Sequence, residues 1–150
     1  MDRIGAKTLA HELDSPYISG KKKRNILIRM GDFIFRKPKF NVDIQVEGGG
    51  EFRDFEVIHT PGHTEGSVSF FYPKEKALFV GDAIGSGSWH PFGEEGKLSL
   101  TPKIFSESTK DMKNSVKKMR EIEPNLLLPG HGPPVSEDVI RQLDELITDF

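Results

Sequence analysis

The sequence predicts an α/β layered domain in which a sheet packs against helices, and three observations predict it. In the middle of the chain Val42, Ile44 and Val46 alternate with Asp43, Gln45 and Glu47, the period-two pattern of a half-buried strand. Helical spacing marks the later part, in Met112, Val116 and Met119 and again in Val139, Ile140, Leu143 and Ile147. Short apolar runs between these patterns end on tight Gly and Pro turns. Strands in the middle with helices late and flanking suit sheet-on-helix layering. At 150 residues the chain is expected to be one domain, 1–150, large enough for a real core.

The elements follow in order. Residues 6–11 are a candidate strand, and His11-Glu12-Leu13-Asp14 leads into a turn or short helix before Gly20. Residues 22–35 carry Ile26, Leu27, Met30 and Ile34 at loosely helical spacing, and their type stays open. Gly48-Gly49-Gly50 permits a reversal after the strand at 42–46. Phe55 and Val57 then alternate with Asp54 and Glu56, and His59 shares their parity and so their face. Val68, Phe70 and Tyr72 mark the next strand, and Pro73-Lys74-Glu75-Lys76 turns the chain. Ala77-Leu78-Phe79-Val80 reads as a strand buried on both faces. Residues 85–106 form a Gly-, Ser- and Pro-rich excursion with Trp89, His90 and Phe92, a kind of loop that often carries binding residues. Ser108 and Asp111 are a candidate capping pair for the helix through Met112 and Met119, which Pro124 ends. Leu126-Leu127-Leu128 is a short strand stopped by Pro129, and Ser136 can cap the last helix.

Composition excludes several classes. The net charge of -2 favours no nucleic-acid partner. The one basic block, Lys21-Lys22-Lys23-Arg24, reads as a solvated loop or helix start. Without cysteine there are no disulfides, and any zinc must be held by His and carboxylates. No apolar stretch approaches the roughly 18 residues that span a bilayer, so no membrane partner is expected. No signal-peptide pattern opens the chain, and a cytoplasmic location is the default.

Three turns carry the chemistry. His63 lies in His59-Thr60-Pro61-Gly62-His63-Thr64, where Pro61 and Gly62 make a sharp turn after a strand. Asp82 follows Gly81 at the end of the run 77–80, and a carboxylate with two oxygens can bridge two cations. His131 lies between Gly130 and Gly132, which leave room for close approach of backbone or metal. Taken singly, these are an ordinary surface histidine, a cap or turn aspartate and a Gly-His-Gly loop. Taken together, they suggest a metal centre built from loops on a rigid sheet.

In order, spacing and strand context, His59–Thr64 with Gly66, Phe79-Val80-Gly81-Asp82 and Leu128-Pro129-Gly130-His131-Gly132 resemble the metallo-β-lactamase superfamily. The resemblance runs from about Ala6 to the C-terminal helix, and Ala10-His11-Glu12-Leu13-Asp14-Ser15-Pro16-Tyr17 resembles the family's segment downstream of its first ligand motif. It implies part of a four-layer α/β/β/α sandwich with one or two metals, usually zinc and otherwise iron or manganese, at one edge. By that resemblance His63 would ligate the first metal, Asp82 would bridge both and act as the catalytic carboxylate, and His131 would ligate the second. The implied reaction is hydrolysis of a small-molecule substrate, with the scissile bond polarised and attacked by metal-activated hydroxide. Relatives handle thiol esters, lactones, phosphodiesters and β-lactams.

The family's early His-x-His-x-Asp-His motif has no counterpart among His11, His59, His63, His90 and His131. The chain therefore reads as the C-terminal part of such a domain, holding one ion at low affinity or none. His59 reads as a core residue or as support for the ligands, His11 as structural, and His90 as a loop or pocket residue. A sandwich without its first strands would expose a sheet edge and an apolar face. That predicts a homo-oligomer, most simply a dimer. The expected function is a truncated metal-dependent hydrolase, weakly active or inactive. The alternatives are a non-catalytic oligomeric remnant and one half of a split enzyme.

Overall fold

The computed structural model describes residues 5–23, 39–87, 94 and 96–148. They fall into two compact units that divide between Glu47 and Gly48. In the first, β1 (Leu9–His11) pairs in parallel with β2 (Ile44–Val46), and α1 (Ser15–Ile18) follows β1. The first strand is thus shorter than residues 6–11. Asp43 pins the entrance to β2, its carboxylate accepting from the Thr8 backbone N–H and hydroxyl, both at 2.8 Å. Those two bonds hold its pKa below the ordinary carboxylate value. His11 is 2% exposed. Its Nδ1 accepts from the Leu13 N–H at 3.2 Å, which leaves Nε2 to donate to the Glu47 carbonyl at 2.7 Å. A ring satisfied at both nitrogens is structural, as the sequence suggests. Ile26, Leu27, Met30 and Ile34 lie outside the described residues.

The second unit is built on a five-stranded sheet. Its strands are β3 (Glu51–Phe52), β4 (Phe55–His59), β5 (Val68–Tyr72), β6 (Ala77–Gly81) and β9 (Leu126–Pro129), in that spatial order. The first four pair antiparallel and β9 joins β6 in parallel. A smaller antiparallel pair, β7 (Ile84–Ser86) and β8 (Leu98–Leu100), arises from the two ends of the excursion at 85–106. Two helices complete the unit, α2 (Thr109–Glu121) and α3 (Val139–Thr148). The result is mixed α/β, a sheet with a helical layer.

The core lies between sheet and helices. Phe71, Leu78, Val80 and Leu127 from the sheet meet Val116, Met119, Val139 and Leu143 from the helices, all buried. Cross-strand register explains the set, because Phe71 pairs with Leu78 and Leu78 with Leu127 in one row. Ser108 caps α2, its hydroxyl accepting from the Asp111 N–H at 3.2 Å. The helix at 139 begins three residues after Ser136, so Ser136 does not cap it.

One strand's buried face is decided only by the structure, and one strand reading needs correction. In β5 the buried residues are Ser69 and Phe71, whereas Val68, Phe70 and Tyr72 lie on the other face. Ser69 tolerates full burial because its hydroxyl is 3.0 Å from that of buried Thr60. Strand β6 is not buried on both faces, since Phe79 is 41% exposed. Phe79 belongs to an aromatic patch in which Phe55 lies 6.4 Å from Phe70, 5.3 Å from Tyr72 and 5.8 Å from Phe79, ring centre to centre. Both outcomes have one cause. The two sheet faces are apolar in different ways, and alternation cannot say which of them meets the helices.

Candidate metal centre

Strand direction brings the three predicted residues to one edge. Because β5 is antiparallel to both β4 and β6, and β9 is parallel to β6, strands β4, β6 and β9 run the same way. His63 follows the C-terminal end of β4, Asp82 follows β6 directly, and His131 follows β9.

The His63 turn is held by the start of α2. Gly62 has φ 140°, and a Cβ there would lie 2.6 Å from Met112 Cα, so the turn needs glycine both for its angle and for its approach to the helix. The Gly62 carbonyl accepts from Glu107 N and Ser108 N, both at 2.9 Å, and the His63 carbonyl from Glu107 N at 3.2 Å. The Glu107 carboxylate in turn accepts from Glu65 N at 2.7 Å, and Ser115 donates to the Pro61 carbonyl at 2.7 Å.

Asp82 leaves β6 at an irregularity between Phe79 and Gly81. The Gly81 carbonyl accepts from Gly130 N at 2.8 Å, which ties the Asp82 turn to the His131 turn. The Thr101 hydroxyl donates to the Asp82 carbonyl. A Cβ at Gly130 would collide with Asp82 Oδ1, and one at Gly132 with the Ser86 carbonyl. The glycines flanking His131 therefore make room for a carboxylate on one side and for backbone on the other.

The three side chains meet at the Asp82 carboxylate. His63 Nε2 is 3.7 Å from Oδ2, and His131 Nε2 is 3.7 Å from Oδ1. Exposure rises along the row, from 26% for His63 through 46% for Asp82 to 57% for His131. Both gaps exceed hydrogen-bond length. They are close to the roughly 3.4 Å that separates two donors bound tetrahedrally to one metal at about 2.1 Å each. Each oxygen thus faces a different imidazole. Among the described residues no three His, Cys, Asp or Glu side chains are placed to hold one ion, in keeping with a row of donors rather than a cage. Two imidazoles and a carboxylate are donors suited to zinc, iron or manganese.

His59 has partners of its own. His59 Nε2 is 2.8 Å from the Glu65 carbonyl, and the His59 carbonyl accepts from Lys118 Nζ at 3.0 Å. It is half-buried and braces the loop that carries His63. Trp89, His90 and Phe92 lie outside the described residues. Sequence reading missed Thr101, Glu107 and Ser115, which fix the turns carrying these residues. Their partners lie far along the chain, 54 residues away for Ser115, and no local pattern signals them.

A family model described as the metallo-β-lactamase superfamily matches residues 1–131. The probable metallo-hydrolase YflN of Bacillus subtilis is 26% identical over 147 residues, covering 84% of this chain and 54% of that protein. The hydroxyacylglutathione hydrolase of Bartonella henselae is 33% identical over 79 residues, covering 50% of this chain and 25% of that protein. Among solved structures, TTHA1623 in a di-iron-bound form superposes with a TM-score of 0.66 at 22% identity, covering 98% of this chain and 66% of that one. The archaeal protein ST1585 of Sulfolobus tokodaii gives 0.66 at 21% identity, covering 96% and 57%. These structures share the fold. The chain spans about half the length of the curated relatives YflN and YqjP, at 54% and 47%.

Proposed function

The chain belongs to the metallo-β-lactamase superfamily, and from that premise we propose that it is a metal-dependent hydrolase, with His63, Asp82 and His131 as its contribution to the metal centre. The observation that carries the reading is the Asp82 carboxylate, with one imidazole 3.7 Å from each oxygen. Relatives named as a metallo-hydrolase and a hydroxyacylglutathione hydrolase support the reaction class. A di-iron relative supports a transition metal as cofactor, with zinc the other candidate.

A bound ion of this kind supplies Lewis-acid polarisation of the scissile bond and activation of water. The chain's own residues set up the rest. The clamp from Glu107 and Ser108 fixes the turn that carries His63. The Thr101 hydroxyl and Gly130 fix the backbone on either side of Asp82. Mounting donors on rigid strand ends limits the reorganisation needed to place a substrate.

The test is metal content. Protein purified without chelator is analysed for zinc and iron alongside Asp82→Asn and Arg141→Ala, the latter on the exposed face of α3. Wild type and Arg141→Ala are expected to carry metal and Asp82→Asn to lose it. Fewer than about 0.2 ions per wild-type chain would leave the non-catalytic reading, since a built metal site couples binding to the folded state.

A further inference from the structure

His131 stands on a loop that is poor in donors of its own. Residues 130–134 run Gly-His-Gly-Pro-Pro and are exposed. Pro133 and Pro134 have no N–H to give, so the loop's carbonyls look to donors elsewhere in the chain. Its foot is closed by Leu127 and Val135, whose N–H groups donate to each other's carbonyls at 2.8 and 2.9 Å. Gly130 N donates outward, to the Gly81 carbonyl at 2.8 Å.

One residue supplies two further ties. Ser86 N donates to the His131 carbonyl at 3.1 Å, and the Ser86 hydroxyl donates to the Pro133 carbonyl. Between those two points Gly132, at φ 90°, passes so near the Ser86 carbonyl that a Cβ there would collide with it. Ser86 thus meets three consecutive residues of the loop. It is 0% exposed and lies 47 residues from Pro133 along the chain. A buried hydroxyl needs a partner, and this one takes the carbonyl of an exposed loop.

The support beneath is fixed in turn. Ser86 pairs with Leu98 across β7 and β8, and Gly87 N donates to the Lys97 carbonyl at 3.0 Å. Leu98 N donates to the side-chain carbonyl of buried Gln142, on α3, at 2.8 Å. A residue locked by its own neighbours can hold another in place. Strand β7 also starts two residues after Asp82, so the segment that leaves Asp82 is the one that grips the His131 loop.

We propose that Ser86 is a positioning residue for His131. It fixes the loop backbone so that the imidazole Nε2 stays 3.7 Å from Asp82 Oδ1. The proposal rests on the metal-dependent hydrolase reading and adds a residue to that site. Ser86 acts through the His131 backbone and is assigned no contact with metal or substrate.

Ser86→Ala removes the hydroxyl tie and leaves the N–H. The full chain is titrated with cobalt(II), whose visible absorption reports a ligand geometry that d¹⁰ zinc does not. Met119→Ala is the control, since Met119 is core on α2 and takes no part in the clamp. Ser86→Ala is expected to weaken cobalt binding about tenfold and to alter the absorption band. Met119→Ala is expected to lower Tm at least as much and to keep the wild-type affinity and band. Unchanged affinity and band in Ser86→Ala overturn the proposal, as does an equal loss in Met119→Ala.

The metal-free chain gives an independent readout, amide exchange at Gly130 relative to Leu127 at the foot of the loop. Ser86→Ala should raise that ratio about tenfold, as expected for loss of one buried hydrogen bond; an unchanged ratio overturns the proposal. If wild type binds no cobalt, the hydrolase reading fails by itself and this ratio alone decides the role of Ser86. If Ser86→Ala does not fold, wild type decides. Zinc should then slow exchange of the Ser86 N–H relative to that of Leu127, and no slowing overturns the proposal.

Discussion

Asp82 has two oxygens and offers one to each imidazole, an arrangement that depends on a missing atom elsewhere. Gly130 lacks the Cβ that would strike Oδ1, so Gly130→Ala should displace the carboxylate. The expected result is metal affinity lowered by more than about 100-fold, beyond the usual cost of losing an outer hydrogen-bond partner. The accompanying stability loss should be about 1–3 kcal/mol, as for a small overpacking, and metal titration with urea unfolding measures both. Gly62→Ala is a different experiment. Its Cβ would press on Met112 backbone at 2.6 Å while φ stands at 140°. Strain and overpacking together should cost about 3 kcal/mol or more. The histidines, Asp82 and the Pro-Gly turn were legible from residue type and order. The spaces that Gly130 and Gly62 leave were legible only in part, because what fills them comes from distant segments.

Helix α2 serves both the core and the His63 turn. Met112, Val116 and Met119 bury one face against the sheet, while the residues before its first turn hold His63 in place. Ser108→Ala should therefore cost about 1 kcal/mol of stability, or roughly 2–4 °C in Tm, and should also weaken metal binding by loosening the His63 turn. Arg120 offers a useful contrast. It reaches Asp144 of α3 at 2.9 and 3.4 Å, but the pair is 37% and 50% exposed. Water screens such a pair, and Arg120→Ala should destabilise less than Ser108→Ala. Leu127→Ala, at the buried centre of β9, should cost about 2–5 kcal/mol. Thermal melts of the three variants rank these effects. Helices and strands were found near their predicted places because period and capping are short-range signals. The start of α3 was misjudged because Ser136 is a capping residue type outside the first turn.

At the scale of the second unit, the sheet has one face packed on helices and one bearing Phe55, Phe70, Tyr72 and Phe79. An aromatic patch with Phe79 41% exposed is the kind of surface that associates. We expect self-association at micromolar concentration, with Phe79→Lys shifting the chain toward monomer. Light scattering reads the mass, and a monomeric wild type that binds no hydrophobic dye would end this expectation. Among the described residues no helix is long and apolar enough to cross a membrane.

The sequence by itself determined which residues could ligate a metal, where most strands and helices run, and the likeness that the family match upholds. Those are properties of residue type and short period, and each is encoded within a few positions. Only the tertiary structure decided that Ser69 and Phe71, rather than Phe70 and Tyr72, are the buried residues of β5. It alone set β9 beside β6 in parallel, so that Asp82 and His131 leave the sheet at one edge. It alone placed Ser86 against the loop that carries His131. The reason is physical: side-chain alternation fixes which residues share a face, but the partner that covers a face is chosen by packing across the whole sheet.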